Sequence, residues 1–134
     1  MAFMGGCLCG QCRYRIDRRF LNAMHCYCSM CRKAHGTAYS THAMTRPDQF
    51  HWLPGSPALI AYESSEGAFR EFCPTCGTHL KVHGQTPEDL LAIPAGTLDG
   101  DPPLTLIGHM FTADCVSWHV IQDDLPRHEV EGAV

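Results

Sequence analysis

Along the chain, apolar and polar positions alternate in short runs rather than recurring every three or four residues. Runs at residues 13–16, 37–44, 58–64, 68–72, 79–83, 90–93, 104–111 and 117–121 are mostly rich in aromatic, aliphatic and β-branched side chains, with frequent alternation. That is the period at which successive side chains of a strand face opposite sides of a sheet. Nine prolines and twelve glycines punctuate the runs, as in Leu53-Pro54-Gly55-Ser56-Pro57 and Asp99-Gly100-Asp101-Pro102-Pro103, so the connections read as turns. Two places read as helical turns, residues 29–35 and residues 86–89, where Thr86 can cap and Pro87 takes the first helical position. The pattern predicts an all-β fold of short strands with one or two short helical turns. No linker or low-complexity segment interrupts it, and 134 residues suit one domain, 1–134, large enough to bury a core of its own.

The cysteines change this picture from a plain β fold to a metal-bearing one. Two C-x-C-x-x-C clusters, Cys7-Leu8-Cys9-Gly10-Gln11-Cys12 and Cys26-Tyr27-Cys28-Ser29-Met30-Cys31, precede a Cys73-Pro74-Thr75-Cys76 knuckle, so eight of the nine cysteines fall in three tight groups. Thiolates two or three positions apart on a turn can aim both sulfurs at one ion, about 2.3 Å from a tetrahedral zinc. Disulfides fit less well, because the count is odd and a C-x-C pair is poorly placed to bridge to itself. An iron–sulfur cluster is the minor alternative. The N-terminal residues lack the basic start and apolar run of a signal peptide, and no stretch is long and apolar enough to cross a bilayer. The expectation is a cytoplasmic protein with reduced thiols, holding two metal ions at most.

Charge removes a further class. Lys plus Arg number 10 against 14 Asp plus Glu, a formal charge of −4, and the basic residues are scattered. Nucleic acid is not an expected partner, since it requires a cationic face that displaces counterions from phosphates.

Spacing leaves open how eight thiols are shared. A Cys₄ site is closed and structural, whereas three protein ligands leave a position for water or substrate. Gly10 and Gly77 each follow a cysteine directly, as suits turns whose amides point at sulfur. If Cys7, Cys9, Cys73 and Cys76 fill one site, then Cys26, Cys28 and Cys31 remain as a three-thiolate group with a vacant place. The rival division has Cys12 replacing one of these ligands or completing the second site.

Several stretches resemble one family. Gly6-Cys7-Leu8-Cys9-Gly10 followed by Tyr14, the run His25-Cys26-Tyr27-Cys28-Ser29-Met30-Cys31-Arg32-Lys33, Ser64-Ser65 ahead of Arg70-Glu71-Phe72-Cys73-Pro74-Thr75-Cys76-Gly77, and His109-Met110-Phe111 with Trp118 ahead of Asp123-Asp124-Leu125-Pro126 are similar to the GFA family, the glutathione-dependent formaldehyde-activating enzyme and its relatives, which include centromere protein V. The resemblance implies a small sandwich-like β-tent of short antiparallel strands, clipped by a structural zinc on Cys7, Cys9, Cys73 and Cys76. It implies a second, catalytic zinc on Cys26, Cys28 and Cys31. Cys12 departs from the family's ligand set and reads as an ordinary buried residue.

An open three-thiolate zinc could activate a thiol for addition to a small aldehyde. The expected activity is that of a carbon–sulfur lyase or synthase, for example forming S-hydroxymethylglutathione from formaldehyde and glutathione. Glutathione also carries carboxylates, for which Arg32, Lys33 and Arg70 are the candidate partners. Of nine histidines, His25 and His42 are the pair to test for substrate contact or proton transfer. Ser64 and Ser65 read as turn caps, Trp52, Trp118, Phe72 and Phe111 as core or pocket wall, and Cys115 as structural. Two other functions compete with the enzyme, a zinc-stapled binding module without catalysis and a thiol-based metal or redox sensor, the latter resting on the spare Cys12.

Overall fold

The computed structural model describes residues 2–84 and 89–131. Its strands are β1 (Phe3–Gly6), β2 (Arg13–Ile16), β3 (Asn22–Cys26), β4 (Ser40–Thr45), β5 (Phe50–Trp52), β6 (Ile60–Ser65), β7 (Ala68–Phe72), β8 (His79–His83), β9 (Leu91–Pro94) and β10 (Thr105–Met110). One helix, α1 (Ser29–His35), and short 3₁₀ turns complete the described elements. The all-β reading is therefore correct. The predicted turn at residues 86–89 falls largely outside the described residues.

A three-stranded sheet, β1-β2-β5, and a seven-stranded sheet, β10-β3-β4-β9-β8-β7-β6, make up the fold. The core lies between them. Phe3, Tyr14, Ile16 and Phe50 from the small sheet pack in one cluster with Ala43, Leu80, Leu91 and Ile93 from the large one, and Cys7, Cys12 and Cys73 belong to the same cluster. Fully burying each of the larger side chains contributes roughly 1.5–3 kcal/mol. Metal-site loops and hydrophobic core are thus one packed unit.

Sequence pattern and structure differ in four places. β1 escapes prediction because two of its four residues are glycine, which weaken strands. Their smallness has a packing reason, since a Cβ at Gly5 would collide with the Tyr14 ring and hydroxyl. β5 is only three residues long, too short for a period to show. β3 lies between β10 and β4, with Ala23, Met24 and Cys26 all buried, so alternation is lost where both faces are covered. Residues 117–121 alternate but form a turn, with the His119 N–H bonded to the Val116 carbonyl. The outer side of β10 is taken by a bridge to Arg127, and Trp118 is left 71% exposed rather than in the core.

The strands are antiparallel except for one pair. β10 runs parallel to β3, with His109 beside His25 and Met110 beside Cys26, because the chain traverses the rest of the large sheet before returning. This return carries the C-terminal arm to the second cysteine group. Among the described residues, no helix is long and apolar enough to cross a membrane.

Candidate metal centres

Two tight loops build the first cysteine group. In the β1–β2 loop, Gly10 turns the chain at φ 82°, its N–H bonds the Cys7 carbonyl at 3.1 Å, and the Cys12 N–H donates to Cys7 Sγ at 3.3 Å. The β7–β8 loop repeats the device. Gly77 turns it at φ 76°, its N–H bonds the Cys73 carbonyl at 3.0 Å, and the N–H groups of Thr75 and Cys76 donate to Cys73 Sγ at 3.4 and 3.5 Å. Positive φ is what glycine tolerates and other residues resist. Thr78 joins the loops, its hydroxyl accepting from the Leu8 N–H at 3.1 Å and lying 3.2 Å from Cys76 Sγ.

The sulfurs of Cys7, Cys9, Cys73 and Cys76 all lie within 4.8 Å of one another and could hold a metal ion. Cys7 and Cys9 are 3.5 Å apart and Cys9 and Cys73 3.8 Å, against about 3.8 Å for sulfurs around a tetrahedral ion at 2.3 Å. Hydrogen bonds from Thr78 and from backbone N–H groups pull the Cys76 pKa down to about 5, which favours the ligating thiolate. Cys12 stands outside the four. It is fully buried in the core, and burial pushes its thiol up to about 12. What Cys12 contributes to the centre is its backbone N–H.

The second group forms where β3 gives way to α1. Cys26, Cys28 and Cys31 bring three sulfurs within 4.8 Å, with Cys26 and Cys28 3.5 Å apart. Among the described residues, no fourth His, Cys, Asp or Glu joins them. Cys28 caps α1, its sulfur accepting the Cys31 N–H at 3.3 Å, and Gly36 ends the helix in the left-handed region. The helix therefore fixes Cys28 and Cys31 in one turn. Hydrogen bonds from Cys26 and Cys28, with Ser40 adding another, lower the Cys31 pKa, while Cys26 is raised.

The surroundings of this group differ from those of the first. Arg70, only 6% exposed, donates from Nη2 to Cys31 Sγ at 3.6 Å and from Nε to Ser64 Oγ at 3.1 Å. Three imidazoles gather beside it. His35 lies 5.4 Å from His42 and 4.9 Å from His79, ring to ring. Burial and the neighbouring imidazoles push His35 down to about 4, and burial also lowers His42 and His79. Nε2 of His35 and of His42, Nδ1 of His79 and Nη1 of Arg70 are buried without a hydrogen-bond partner. A cavity of about 390 Å³, lined by Met30, Lys33, Tyr62, Ser64, Arg70, Phe72 and His79, opens beside them.

The predicted residues divide on these observations. His42 and Arg70 stand beside Cys31, and Lys33 lines the cavity. Arg32 lies on α1, with its Nε buried and unpartnered. His25 joins another cluster, its Nδ1 2.7 Å from Thr41 Oγ1 and its ring stacked on His109 at 5.1 Å. Ser40, His35 and His79 are neighbours of the second group that the sequence did not single out. His35 carries a local signal, four residues after Cys31 on α1, whereas β4 and β8 deliver Ser40 and His79 from other strands.

A sequence model of the GFA family, described as glutathione-dependent formaldehyde-activating enzyme, matches residues 2–114. A crystal structure of a Rhodobacter sphaeroides protein superposes with a TM-score of 0.60 at 24% identity, covering 77% of this chain and 98% of that one, a likeness of fold. Among curated proteins, none matches the chain significantly.

Proposed function

We propose, from the premise that the chain belongs to the GFA family, that it is a zinc-dependent carbon–sulfur lyase or synthase acting on the thiol adduct of a small aldehyde, with formaldehyde and glutathione as the specific case. The observation that carries this reading is the division of seven sulfurs into a set of four and a set of three, with the set of three facing a buried guanidinium and imidazoles. Cys7, Cys9, Cys73 and Cys76 would hold a structural zinc, and Cys26, Cys28 and Cys31 a second. Bound by three thiolates, zinc supplies an open Lewis-acidic position that favours ionisation of an incoming thiol.

The overall reaction adds a thiol across a carbonyl. A sulfur–carbon bond forms, the carbon–oxygen π bond breaks, and the thiol proton ends on the new hydroxyl, with no change of oxidation state for the pair. The chain's part in this is positional and electrostatic. Arg70 offsets the negative charge gathered at Cys31, and its Nη1 remains free to donate. His42 and His79 present unpartnered nitrogens beside Arg70, suited to passing a proton to or from the substrate oxygen. Lys33 stands exposed at the cavity, where it would meet a substrate carboxylate. The sensor reading rested on Cys12, whose thiol is core, and no observation favours it.

The test combines metal analysis with turnover. Two zinc ions per reduced chain, and formation of S-hydroxymethylglutathione faster than the spontaneous reaction as followed by NMR, are the expected results. Two ions with no acceleration for formaldehyde or other small aldehydes would sink the enzyme reading.

A further inference from the structure

The residue between the first two cysteines of the second group is held from the far end of the chain. Tyr27 is 1% exposed. Its backbone N–H donates to the Met110 carbonyl at 3.0 Å, and its hydroxyl lies 2.9 Å from Nδ1 of His109, itself 2% exposed. The opposite nitrogen of His109, Nε2, lies 2.8 Å from Asp123 Oδ1. A carboxylate only accepts, so Nε2–H donates to Asp123, and in the neutral ring Nδ1 accepts the Tyr27 hydroxyl. The middle and the far end of this chain of bonds are themselves fixed. The His109 N–H bonds the Pro126 carbonyl and the His109 carbonyl accepts from His128, each at 2.9 Å. Asp123 Oδ1 also accepts the Leu125 N–H at 3.0 Å, and Arg127 ties the carbonyls of Ile121 and Asp123 at 3.2 Å.

We infer that His109 and Asp123 are positioning residues for the second metal centre: through Tyr27 they set the Cys26–Cys28 segment, although no hydrogen bond of theirs reaches a sulfur. This rests on the reading of Cys26, Cys28 and Cys31 as a metal centre. The geometry favours positioning over a mere tail staple for a specific reason. Tyr27 is gripped at its backbone and at its hydroxyl by the same arm, β10 and the segment that wraps it, and the parallel pairing aligns Met110 with Cys26 itself. The sulfurs of Cys26 and Cys28, at 3.5 Å, flank that doubly held residue. In the first group, by contrast, glycine turns and backbone N–H groups set the sulfurs without such a chain. Outer hydrogen-bond partners of a metal site typically account for about 10- to 100-fold of its affinity.

The experiment uses the full chain loaded with cobalt(II), whose thiolate charge-transfer and d–d bands report each centre, titrated with a chelator. Tyr27→Phe removes one hydroxyl and keeps the ring, Asp123→Ala removes the terminal acceptor, and Asp123→Asn keeps an oxygen at that place. The expected result is that Tyr27→Phe and Asp123→Ala release the second ion at about tenfold lower chelator with altered d–d bands. The first ion should stay as in the parent, and Asp123→Asn should restore most of the affinity. Unchanged release of the second ion from folded variants overturns the inference alone. So does parallel weakening of both ions, which would mark a purely global role. A parent chain that never takes up more than one cobalt overturns the underlying reading together with it. Circular dichroism establishes that each variant is folded, and Tyr27→Phe carries the test should Asp123→Ala fail to fold.

Discussion

The two cysteine groups use the same short spacings and meet different surroundings. At the first, thiolate charge is met by backbone N–H groups of Cys12, Thr75 and Cys76 and by the Thr78 hydroxyl. The amides among these donors come with the fold, and no substitution other than proline removes a backbone N–H. At the second, the Cys31 N–H, donating to Cys28 Sγ, is the amide partner, and the others are side chains from other strands, Arg70 and Ser40, with three imidazoles behind them. Four sulfurs enclose an ion, whereas three leave a side facing other groups. The difference teaches that similar ligand spacing can be met by different donors. On the proposed reading, fixed amides would suit a permanent ion and exchangeable side chains would suit chemistry.

The largest expected effect comes from breaking the first group. Cys73→Ser should abolish cooperative unfolding as followed by circular dichroism, because structural zinc supplies on the order of 10–16 kcal/mol of folding free energy, comparable to the whole stability of a domain of about 5–15 kcal/mol. Cys28→Ser should be much milder. Serine remains a good N-cap for α1, so metal analysis should find one ion lost and a melting transition that stays cooperative, with any turnover abolished. Equal loss of fold in both variants would erase the proposed distinction between the centres.

A smaller effect is set by pH. His35, held down to about 4 by burial and by His42 and His79, stays neutral in the fold while the unfolded chain takes up its proton near pH 6.5. The unfolded state then binds more protons, so the stability of the zinc-loaded chain should fall as pH drops from about 6.5 toward 4 by more than thiolate protonation alone accounts for. His35→Gln should flatten that slope in urea titrations, while a slope carried unchanged would shift the effect to other groups. The smallest effect belongs to Cys12→Ala, expected to cost about 1 kcal/mol through a small core cavity while both ions are retained. Loss of an ion there would restore Cys12 as a ligand.

Much of this was legible in the linear chain. Arg13–Ile16, Ala68–Phe72 and His79–His83 form strands at the predicted bounds, and Ser29–His35 the predicted helix, because such local patterns are read from near neighbours. β3 was not legible, being buried on both faces, nor was the parallel return of β10.

What the sequence by itself determined is local: short strands, glycine-turned knuckles at Cys7–Cys9 and Cys73–Cys76, and a helical turn over residues 29–35, since each follows from residues within a few positions of one another. Only the tertiary structure decided that Cys12 enters the core, that Arg70 is buried against Cys31, that His42 meets His35 and His79 while His25 stacks on His109, and that Asp123 reaches Tyr27 through His109. The reason is register. A strand's side chains change face with every residue, so a shift of one position reverses which of them converge, and the order and register of the strands are settled by the packing of the whole sheet.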